Sequence, residues 1–98
     1  MPFIQIIGFR TSRFREVEQL GKDWEAAVGS DTTARRRILV RDRNDADRYL
    51  NIVFFDSYEE AMRNSDHPVT QDFASKLAAL VDGAPTFSDL DVVEEVEL

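Results

Sequence analysis

The chain carries one histidine, His67, in the run NSDHPV, directly ahead of Pro68. Imidazole is the one side chain here that titrates near neutrality without help. A histidine so placed can act as a general base that takes the proton of a phenolic hydroxyl, leaving an electron-rich anion to react with oxygen. The plainer reading is a turn residue between two helices, since the position before proline disfavours helical backbone. Tyr49 and Asn51 lie two apart in RYLNIVFF and share a strand face with Val53 and Phe55. Turned toward covering helices, they orient a polar ligand; turned away, they are hydrogen-bonding groups of a subunit interface. Gln5 interrupts the apolar run FIQIIGF, and a buried amide needs a partner, in a pocket or across a dimer contact. Trp24, Phe14, Phe73 and Phe55 are expected to converge between helices and sheet, as core first and as walls of a small apolar cavity second.

Other chemistries lack their residues. Cysteine is absent from the 98 residues, which removes disulfides, thiolate metal sites and a cysteine nucleophile. A lone histidine among scattered acids is not a metal-ligand pattern, and no glycine-flanked nucleophile elbow is present. No metal and no cofactor are expected. The formal net charge of −7 runs against phosphate-driven binding of nucleic acid. The opening MPFIQIIGFR is too short for a membrane span and lacks the basic lead-in and cleavage site of a secretory signal. The expectation is a cytoplasmic protein with no nucleic-acid or membrane partner.

These residues need elements to position them, and the hydrophobic periods supply six. Phe3 to Phe9 reads as a central strand buried on both faces. A helix capped by Thr11 or Ser12 follows, with Phe14, Val17, Leu20, Trp24 and Val28 on one stripe and Gly29 as its left-handed terminator. Gly21 sits inside that helix at a cost of about 1 kcal/mol against alanine, and close approach to the sheet is a reason for it. Ala34 to Arg43 is a strand whose arginines, Arg35, Arg37, Arg41 and Arg43, form one basic face. The turn NDAD joins it to a second strand, Arg48 to Phe55, as an antiparallel hairpin. Ser57 and Glu60 make a capping box. The helix they start breaks at His67 and Pro68, restarts, and ends near Asp82 and Gly83. Phe87 to Leu98 is the final strand.

The predicted fold is α+β: a single ferredoxin-like βαββαβ domain, residues 1–98, with a four-stranded antiparallel sheet and the helices on one face. The crossover rule puts the first and third strands in the centre. The other sheet face is left bare and too apolar for water, so it calls for a second copy of the chain. In a sheet-to-sheet homodimer the arginine-rich second strand of one subunit meets the acidic fourth strand of the other, closing a barrel.

That element order, together with RYLNIVFFDSYEEAM running into a capped helix and then HP, resembles the dimeric α+β barrel superfamily. Within it the chain is similar to the antibiotic-biosynthesis-monooxygenase type of domain. The resemblance implies a homodimer with a pocket in each subunit between sheet and helices. It also implies activities ranging from oxygenation of aromatic polyketides without metal or flavin, through haem degradation, to none known. Haem-degrading members use an asparagine late in the first strand and a tryptophan and an iron-ligating histidine on the second helix. Those positions here hold Ile7, Asn64 and Phe73, which argues against haem breakdown by that scheme. Two functions remain. One is cofactor-independent oxygenation or isomerisation of a small apolar or phenolic substrate, with His67 as base, Tyr49 and Asn51 as orienting groups, Trp24, Phe55 and Phe73 as walls, and Gln5 as a further substrate-binding candidate. The other is a non-catalytic homodimer that binds a small apolar ligand or a protein partner.

Overall fold

The computed structural model describes residues 1–98. Its elements are β1 (Phe3–Arg10), α1 (Phe14–Val28), a 3-10 turn (Gly29–Asp31), β2 (Ala34–Arg41), β3 (Arg48–Phe55), α2 (Tyr58–Asp66), α3 (Pro68–Leu80) and β4 (Thr86–Asp91). The strands form one antiparallel sheet in the order β2-β3-β1-β4. β1 and β3 are central, where the crossover rule places them, and the fold is the expected ferredoxin-like α+β arrangement. No helix is long and apolar enough to cross a membrane.

The two-residue period of β3 organises the layers. Tyr49, Asn51, Val53 and Phe55 are buried, while Leu50, Ile52 and Phe54 between them are half-buried. The buried set faces the helices: Ala61 of α2 packs with Phe3, Val53 and Phe55, and Val17 of α1 and Leu77 of α3 pack with Ile7, Phe9 and Tyr49. Register then puts Ile4, Ile6, Ile38, Val40, Leu50 and Ile52 together on the opposite face, which no element covers. β1 is therefore buried on its helix side and only half-buried on the other, not enclosed on both.

Several local expectations shift by a residue or two, each for a visible reason. Thr11 does not cap α1 directly. Its Oγ1 accepts from the Arg13 N–H at 2.9 Å and donates to the Leu80 carbonyl at 2.8 Å, tying the start of α1 to the end of α3. Gly29 ends α1 at φ 54°, a backbone that other residues adopt only with strain. The capping box is half made: Ser57 Oγ accepts from the Glu60 N–H at 3.2 Å, while the Glu60 carboxylate turns to Arg63 at 3.3 Å. α2 and α3 do break at His67, with Pro68 opening α3. α3 stops at Leu80, because Val81 is extended and the Asp82 N–H donates to the Arg10 carbonyl at 2.7 Å.

Two corrections concern the strands. β4 covers Thr86–Asp91, and Val92 to Leu98 lie outside it. Its partner β1 begins at Phe3, opposite Asp91, and after one more bond from Val92 N–H to the Pro2 carbonyl no paired backbone remains. The single basic face of β2 is broken by a bulge between Ala34 and Arg36. Arg36 falls opposite Phe54, with its guanidinium 5.2 Å from the ring centre, and Arg37 falls opposite Val53 on the helix side. Arg35 pairs instead with Asp56 at 2.6 Å, and Arg43 lies in the turn.

Thr11→Val keeps the shape of the buried side chain but leaves a carbonyl and an N–H without their partner. We expect it to cost about 1–3 kcal/mol of stability, read as a lower urea midpoint with an unchanged slope.

Candidate functional site

The core between sheet and helices is in two parts. One cluster gathers Ile7, Phe9, Val17, Tyr49 and Leu77; the other gathers Phe3, Val53, Phe55 and Ala61. Asn51 stands on β3 between Tyr49 and Val53, so a buried amide occupies the centre of the covered face where an apolar residue would join the clusters. Beside it lies a cavity of about 250 Å³, bounded by the sheet and all three helices. Ile7, Val53, Trp24, Phe73 and Leu77 give it apolar walls; Gln5, Asn51, Asn64 and Thr70 add polar groups. Exposed Gln71, Ala74 and Phe87 mark the side on which it opens.

One charged residue lines this cavity, Arg37. Its place opposite Val53, in unbroken alternation with Leu39 and Arg41, turns its side chain to the helix side, and Gly21 of α1 makes the room. A Cβ at position 21 would lie 3.2 Å from both terminal nitrogens of the guanidinium. The expected close approach at Gly21 is thus to a side chain of the sheet. Arg37 Nη2 donates to Glu25 Oε1 at 2.6 Å, and Nη1 reaches Asn51 Oδ1 at 3.5 Å, the limit of a hydrogen bond. Its Nε is buried and has no hydrogen-bond partner. Across the cavity the Trp24 indole N–H donates to Thr70 Oγ1 at 2.9 Å, joining α1 to α3.

The residues singled out from sequence divide. Gln5, Trp24, Asn51 and Phe73 line the cavity together. Gln5 Nε2 also donates to Asp89 Oδ1 on β4 at 3.2 Å. Tyr49 faces the helices but not the cavity, its ring stacked on Phe14 at 4.7 Å and Phe9 at 5.7 Å between centroids. Phe55 belongs to the second cluster, so the four aromatics do not converge on one point. His67 is not in the lining. Its Nδ1 accepts from the Val69 N–H at 3.1 Å, which caps α3, and its Nε2 lies 4.0 Å from an exposed Asp31 carboxylate. In this structure the imidazole serves as the cap of α3 and does not line the cavity.

Arg37, Asn64 and Thr70 were not legible as site residues. Arg37 is hidden in a run of three arginines; Gly21, out of place in a helix, was the available sign. Hydrogen-bonded ion pairs lower the carboxyl pKa of Glu16 beside Arg13 and of Asp45 beside Arg10, and neither acid lines the cavity.

Solved structures share this architecture. A cofactor-independent oxygenase from Streptomyces nogalater, SnoaB, superposes with a TM-score of 0.82 over 97% of this chain and 96% of its own, at 17% identity. Rv0793 from Mycobacterium tuberculosis matches with a TM-score of 0.81 over 99% of this chain and all of its own, at 11% identity. A protein named as an antibiotic biosynthesis monooxygenase gives 0.75 over 96% and 100%, at 13% identity. No protein-family model matches the chain, and no curated protein matches it in sequence. The fold is that of the antibiotic-biosynthesis-monooxygenase-like proteins.

With its imidazole serving as a helix cap, His67→Ala should cost about 1 kcal/mol of stability. It should leave binding in the cavity unchanged, as measured by denaturation and by ligand titration on the same preparation.

Proposed function

We propose that this chain is a cytoplasmic homodimer that oxygenates a small, largely apolar phenolic molecule in the cavity of each subunit, using molecular oxygen and no metal or flavin. The observation that carries this reading is the apolar cavity of about 250 Å³ with a few convergent polar groups, in a fold shared with a cofactor-independent oxygenase. Trp24 and Phe73 hold the ring of the substrate, and Asn51 and Gln5 fix its orientation. In the reaction the ring C–H and the phenolic O–H give their hydrogens to one oxygen atom, which leaves as water. The second oxygen atom becomes the new carbonyl of a quinone. A second reading, a non-catalytic ligand-binding dimer, is favoured by one fact: no carboxylate, imidazole or phenol lines the cavity.

Surface area supports the dimer. A monomer of 11.2 kDa should expose about 5,700 Å², whereas this chain exposes 6704 Å². The excess is on the order of one side of a standard interface, about 800 Å². Leu90, Val93, Val96 and Leu98 are among the exposed apolar residues that a second copy would cover. Arg36 and Arg41 make no ion pair within the chain, so the acidic fourth strand and tail of a second copy are natural partners for β2.

Native mass spectrometry should give twice the mass of the chain; a monomer would remove the barrel. An oxygen electrode, with chelator present and hydroxylated naphthalenes as substrates, should show one O2 consumed per quinone formed. Asn51→Leu should slow that reaction by about tenfold to a hundredfold. Tight binding with no oxygen uptake would establish the ligand-binding reading instead.

A further inference from the structure

A guanidinium presents five N–H donors in a fixed fork. In Arg37 one donor is used at full strength, toward Glu25, a second is stretched to 3.5 Å, and Nε has none. Nε is closed off from solvent, so an acceptor brought by a ligand can meet only the terminal nitrogens. The rest of the wall around Arg37 is apolar or carries neutral amides and hydroxyls, so nothing else there answers a charge. Glu25 lies on the outer side, its side chain half exposed. The cation is held by a solvated carboxylate on its outer side, and it is the one charged residue in the cavity lining. The chain as a whole carries −7, so a preference for anions can only be local.

We infer that Arg37 makes the cavity selective for anions: its ligand is a planar apolar ring bearing one acidic oxygen group, bound in ionised form. This rests on the reading of the cavity as the ligand site. The shared chemistry is an oxyanion at the edge of a ring, whether a carboxylate or an ionised phenol or enol. For a phenol the step is simple dissociation: the O–H bond breaks, its electron pair stays on the oxygen facing Arg37, and the proton leaves to water. No base is required in the lining, consistent with the absence of one.

The test is titration of the full-length protein with three probes of one shape: naphthalene, 2-naphthoate and 2-naphthol, the last followed by the distinct absorption of its anion. The wild type should bind an anionic probe more tightly than naphthalene. Arg37→Met should keep naphthalene and lose the anion by roughly 10- to 100-fold. Glu25→Gln, which leaves Arg37 in place but removes its competing carboxylate, should tighten the anion by up to about fivefold; it decides the matter alone if Arg37→Met folds poorly. Preference for 2-naphthoate identifies a carboxylate ligand. Bound 2-naphthol that ionises at a lower pH than free 2-naphthol identifies a phenol or enol. If all variants bind the three probes alike, Arg37 selects nothing and the inference fails while the cavity reading survives. If no probe binds any variant, both fail.

Discussion

The guanidinium of Arg37 lies against Gly21, with Asn51 beside it and Glu25 beyond it. That place lies between the middle of the sheet and the first helix, and a cation there cannot join an apolar core without a cost. The hydrophobic contacts must then be made on either side of it, which is where the two clusters are found. Close packing is the rule in protein interiors, so a cavity of about 250 Å³ in a chain with 15 buried residues is an expensive feature. Its stability cost is carried by the aromatic stack of Phe9, Tyr49 and Phe14 at one end and by Phe3, Phe55 and Ala61 at the other.

The same sheet serves two surfaces because side chains alternate strictly along a strand. On β3 the odd-numbered residues from Tyr49 to Phe55 build the covered face, and Leu50, Ile52 and Phe54 build the bare one. A slip of one residue would exchange them, which fixes the register firmly. At β2 one bulged residue achieves such an exchange locally. Beyond it Arg36, Ile38 and Val40 keep to the bare face and Arg37, Leu39 and Arg41 to the covered one. The bulge sits at the start of an edge strand, where such an irregularity is least costly.

Much of the architecture was legible because its signals are periodic. Alternation in RYLNIVFF, the stripe from Phe14 to Val28 and the proline at 68 are all consequences of backbone geometry, and the structure follows them. The departures occur where a long-range partner decides. Val92 to Leu98 has strand composition, but β1 has no backbone left to offer it. Thr11 has the chemistry of a cap and uses it on the carbonyl of Leu80, 69 positions away. Of the residues chosen by type, Gln5, Trp24, Asn51 and Phe73 line the cavity, and His67 caps a helix beside it. Arg37 was passed over, because a run of three arginines carries no mark of which one faces the helices.

Histidine and arginine solve the problem of making an electron-rich anion in different ways. A base removes the proton and must lie within hydrogen-bond reach of the oxygen that loses it. A fixed cation leaves the proton to solvent and lowers the free energy of the anion that remains, so it moves the ligand's ionisation to lower pH and needs only to face the oxygen. The second arrangement suits a cavity that opens to water past Gln71, Ala74 and Phe87, since the proton has somewhere to go. It also makes selection and activation the same act. On the proposed reading, the interaction that holds a ring oxyanion against Arg37 would also keep it ionised, whereas a neutral ring of the same size would gain only the apolar contacts of Trp24, Phe73 and Leu77.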